Sequence, residues 1–74
     1  MSLILKFETE EDREKFLDLV QRNKPDLLPS LTSNPILPHV YARTNPKQDA
    51  WLRDHVARFG TAFEDLRFRT FAAG

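Results

Sequence analysis

Apolar positions along the chain switch between the two-residue repeat of strands and the repeat of about 3.6 residues that marks helices. In SLILKFE, Leu3, Leu5 and Phe7 fall on one side and Ile4, Lys6 and Glu8 on the other, which predicts a strand with one buried face. Thr9 then offers a hydroxyl to cap a helix, and Glu10, Glu11 and Asp12 suit the positive end of its dipole. From about Glu10 to Asn23, Phe16, Leu17, Leu19 and Val20 gather on one arc. Glu11 with Lys15 and Asp18 with Arg22 stand four apart outside that arc, and Asn23, Lys24 and Pro25 end the helix.

The middle of the chain is punctuated by proline: PDLLPSLTSNPILPHVYARTN holds four of the five prolines. It reads as an interhelix hairpin, with DLLPSL a short strand, TSNP a turn and ILPHVYART the returning strand. Pro29 is then tolerated only on a sheet edge. The competing reading keeps only His39 to Thr44 as a strand and leaves a long loop, of a length that compact domains seldom carry. NPKQDAWLRDHVARFG predicts a second helix, capped by Asn45, with Pro46 in its first position and Gly60 closing it. Trp51, Leu52, His55, Val56 and Phe59 share its apolar arc, while Asp49 with Arg53 and Asp54 with Arg58 pair outside it. A last strand is expected from about Glu64 to Phe71 in EDLRFRTF, and residues 72–74 as a flexible tail.

Strand, helix, strand, strand, helix, strand is the split βαβ order of a ferredoxin-like two-layer α+β sandwich, here a single domain over residues 1–71. If the hairpin fails, a three-stranded βαβαβ sheet under two helices remains. Either way each strand shows one face to the helices and the other outward. Inward go Leu3, Leu5, Phe7, Val40, Ala42, Thr44, Leu66, Phe68 and Thr70, meeting Phe16, Leu17, Leu19, Val20, Trp51, Leu52, Val56 and Phe59. Alternation then assigns the outward face Ile4, Lys6 and Glu8, His39, Tyr41 and Arg43, and Asp65, Arg67, Arg69 and Phe71.

That outward face is the candidate binding surface, formed by Lys6, His39, Tyr41, Arg43, Arg67, Arg69 and Phe71. Rings and guanidinium groups on an open sheet can stack bases and engage phosphates, as the open sheet of RNA-recognition-motif domains does. The likeness is one of architecture, because the glycine-aromatic string of that family is absent from RFRTF. A net charge of zero, from eleven basic and eleven acidic side chains, gives the whole molecule no long-range attraction for polyanions. The charge leans by only two units between the halves: five positive and seven negative groups in residues 1–37, six and four in residues 38–74.

The remaining chemistry is thin. The chain has no cysteine, which excludes disulfides and thiolate metal sites and makes a reducing cytoplasm the expected setting. No apolar run is long enough to span a bilayer. His55 lies within a helical apolar arc without a carboxylate or second histidine at a recognisable spacing. His39, Tyr41 and Arg43 alternate on one strand without a pocket implied. No catalytic residue, metal ligand or cofactor is therefore expected. The expected role is a small non-enzymatic module for protein association or oligomerisation, with single-stranded nucleic acid as the alternative partner. Edge pairing or docking through the segment Pro29 to Pro38 is favoured over face-to-face sheet packing, which would bury Lys6, Arg43, Arg67 and Arg69 against like charges.

Overall fold

The computed structural model describes residues 2–64. Its elements are β1 (Ser2–Phe7), α1 (Glu10–Asn23), a 3-10 helix (Pro25–Ser30), β2 (Leu31–Ser33), β3 (His39–Arg43), α2 (Pro46–Val56) and β4 (Gly60–Glu64). The strands form one antiparallel sheet in the order β2-β3-β1-β4, with β1 and β3 in the centre as expected. Both helices cover the face that carries Leu3, Leu5, Phe7, Val40 and Ala42.

The first helix follows its sequence signals closely. The Thr9 hydroxyl accepts a hydrogen bond from the Asp12 amide at 3.2 Å, and Lys24 ends the helix by donating to the Val20 carbonyl at 2.7 Å. Lys15 pairs with Glu11 at 3.4 Å and Arg22 with Asp18 at 3.1 Å. Phe16 and Val20 are fully buried, Leu17 packs partly against the core, and Leu19 is half-buried.

The middle departs from expectation. A hairpin is present, but its outer strand is Leu31–Ser33, and DLLPS winds as a 3-10 helix instead of extending. Leu27 is fully buried, and Leu28 and Leu31 also pack on the core. Adjacent leucines can turn inward together on a helical winding, whereas strand alternation would send one of them outward. Pro29 therefore sits within the 3-10 helix and needs no sheet edge. The returning strand begins at His39, because Ile36 to Pro38 belong to the connecting loop. Leu27 is thus a core residue that sequence periodicity overlooked.

The second helix is capped by Asn45 as expected, and Gln48 completes a capping box. The Asn45 side chain accepts from the Gln48 amide at 2.9 Å, and the Asn45 amide donates to the Gln48 side chain at 3.0 Å. The helix ends at Val56, however, and Gly60 opens β4 opposite Phe7 instead of closing α2. The last strand accordingly starts before Glu64, and the expected strand residues beyond Glu64, with Leu66, Phe68 and Thr70 of the expected core and the tail, lie outside the described residues. Asp49 does not pair outward with Arg53. It is buried and its carboxylate accepts a hydrogen bond from the buried Thr44 hydroxyl, a contact that fixes the end of β3 to the first turn of α2.

The core joins both layers: Phe16 contacts Phe7 with ring centroids 5.5 Å apart and Phe59 edge-on at 6.3 Å. Leu52 and Val56 close it from α2, and Trp51, Phe59 and Ala62 pack at its margin. Each large side chain buried here contributes about 1.5–3 kcal/mol.

Candidate functional site

Strand register builds the outward sheet face. Thr32 of β2 lies opposite Tyr41, Tyr41 opposite Ile4, and Ile4 opposite Phe63. These four form a row across all four strands. The next row brings His39, Lys6 and Thr61 together, and Arg43 stands opposite Ser2. Tyr41, Ile4 and His39 are half-buried, while Lys6, Arg43 and Phe63 are exposed. The Lys6 ammonium sits over the Phe63 ring, 5.0 Å from its centroid, in a cation–π arrangement.

Of the residues expected on this face, Lys6, His39, Tyr41 and Arg43 are brought together. Arg67, Arg69 and Phe71 lie outside the described residues. Phe63 escapes the sequence reading because that reading starts the last strand at about Glu64, four residues after its first residue, Gly60. It nevertheless shares the odd-numbered phase of the expected outward residues, so starting the strand at Gly60 would have found it.

A second surface comes from the loop between β2 and β3. Ile36 is 83% exposed and Leu37 48% exposed at its tip. Despite that exposure, the loop is tied down. The Asn34 side-chain oxygen accepts from the amides of Ile36 and Leu37, both at 2.8 Å, and its amide group donates to the Tyr41 hydroxyl at 3.0 Å. From α1, the Arg13 guanidinium donates to the carbonyls of Asn34 and Leu37, each at 3.1 Å. The Asn34 amide donates to His39 and the Phe7 amide to the Pro38 carbonyl. Pro35 and Pro38 have no N–H, so every amide hydrogen of residues 34–38 is already used within the molecule.

This bonding predicts that Asn34→Ala frees the tip. Two amides lose their acceptor at once, and hydrogen exchange at Ile36 and Leu37 is expected to accelerate at least tenfold, with about 1–2 kcal/mol of stability lost. Arg13→Ala is expected to accelerate the same amides without changing the α1 cap. Amide exchange followed by NMR separates the two effects.

Elsewhere the described residues offer little chemistry. They hold no group of three or more His, Asp or Glu side chains placed to bind a metal ion. His55 stacks on Trp51 at 4.0 Å between ring centroids, with its Nδ1 2.7 Å from the Trp51 carbonyl oxygen, as a half-buried packed imidazole. Asp49 keeps one carboxylate oxygen without a hydrogen-bond partner among the described residues, enclosed between β3 and α2. Two open depressions flank the turn after α2. One lies between the end of β1 and Phe59–Phe63; the other, about 340 Å³, is lined by Lys15, Asp18, Leu19, Arg22, Asn23 and Phe59.

No described helix is long and apolar enough to cross a membrane. The chain matches no family model, no curated protein and no solved structure at a significant level.

Proposed function

We propose that the chain is a non-enzymatic protein-association module whose contact element is the β2–β3 loop, carried on a ferredoxin-like βαββαβ sandwich. The strand order β2-β3-β1-β4, with two helices on one face, supports the fold reading. The observation that carries the functional one is Ile36, 83% exposed at the tip of a loop whose amide hydrogens are all bonded internally. An aliphatic side chain held out by a rigid backbone loses little entropy on docking and strands no amide donor when buried. Such an arrangement suits an apolar pocket on another protein better than strand addition, which needs free backbone groups. A cytoplasmic setting belongs to the same proposal.

A photoreactive residue at position 36 tests it, with the same residue at exposed position 47 as control. A protein adduct is expected at 36 and not at 47. The purified partner should then bind the Ile36→Asp variant at least about tenfold more weakly. Adducts of equal yield at both positions would remove the loop as the contact element.

A second reading has its own support. The row of Tyr41, Ile4 and Phe63, with Lys6 over the Phe63 ring, is a surface on which single-stranded nucleic acid can stack. If it serves that purpose, labelled oligonucleotides bind at low salt, release as salt rises, and lose about 1–3 kcal/mol on Phe63→Ala. Absence of binding at low salt rules it out.

A further inference from the structure

We draw no further inference here: the strongest candidate, the exposed Phe63 ring with the Lys6 ammonium over it at the β4 side of the sheet, belongs to the outward face already described, and nothing in the structure shows what covers it.

Discussion

Phe16→Ala is expected to cost about 3–5 kcal/mol, the range for deleting a large buried aromatic side chain. Phe16 is fully buried and is the largest such residue in the core. Its ring bridges Phe7 of β1 and Phe59 of the turn after α2, so it links α1 to both the central strand and the far end of the sheet. A domain of this size buries a limited fraction of its surface, and its total stability lies towards the lower end of about 5–15 kcal/mol. Losing Phe16 therefore takes much of the stability at once. Urea unfolding followed by the fluorescence of Trp51, the single tryptophan, measures this directly. The midpoint should fall with the slope unchanged, since the surface exposed on unfolding stays similar. Leu19→Ala on the same helix serves as the comparison: Leu19 is only half-buried, and its loss should cost clearly less. Equal costs at the two positions would contradict the placement of the core.

The contrast between these residues shows how far periodicity reaches. The arc of Phe16, Leu17, Leu19 and Val20 located the buried face of α1, but only the neighbours decide which part of that arc is covered. Caps and ion pairs on α1 were legible because they depend on residues within four positions. The 3-10 helix was not, because proline and short leucine runs satisfy both a strand and a tight helical winding. The choice rests on Leu27, whose burial in the core depends on how α1 and the sheet pack together and not on the spacing of the leucines. The same limit applies to the candidate surfaces. Lys6, His39, Tyr41 and Arg43 were placed correctly because alternation within a strand is a local property. Phe63 was missed for want of a strand boundary, and Ile36 because ILPHVYART was read as extended. SNP did signal a turn there. What could not be read was the Arg13 clamp, since nothing in the spacing of residues 13, 34 and 37 shows that α1 and the loop meet.

Gly60→Ala is expected to destabilise the fold by at least about 2 kcal/mol, in the upper part of the range for overpacking a filled site. The cause is space and not backbone conformation, because Gly60 has no positive φ. It begins β4 directly opposite Phe7, where the chain must re-enter the sheet after the turn that follows α2. A Cβ at this position would run into the Lys6 carbonyl oxygen and would lie 2.9 Å from Phe7 Cδ1 and 3.1 Å from the Lys6 carbonyl carbon. Alanine does restrict the unfolded chain, but that gain is only about 0.4–1 kcal/mol and does not offset the overlap. For a domain of this length the net loss lowers the melting temperature by roughly 8 °C or more. The identity of the blocking atoms adds a sharper test. Phe7→Leu in the Gly60→Ala background shortens the side chain and relieves its share of the clash, but the carbonyl of Lys6 belongs to the strand itself and cannot withdraw without breaking the β1–β4 ladder. The double variant should therefore recover little of the lost stability and should show the added cost of a smaller residue in the core. Full recovery would place the obstruction in the Phe7 ring alone and would show that β4 can shift away from β1 at its first residue.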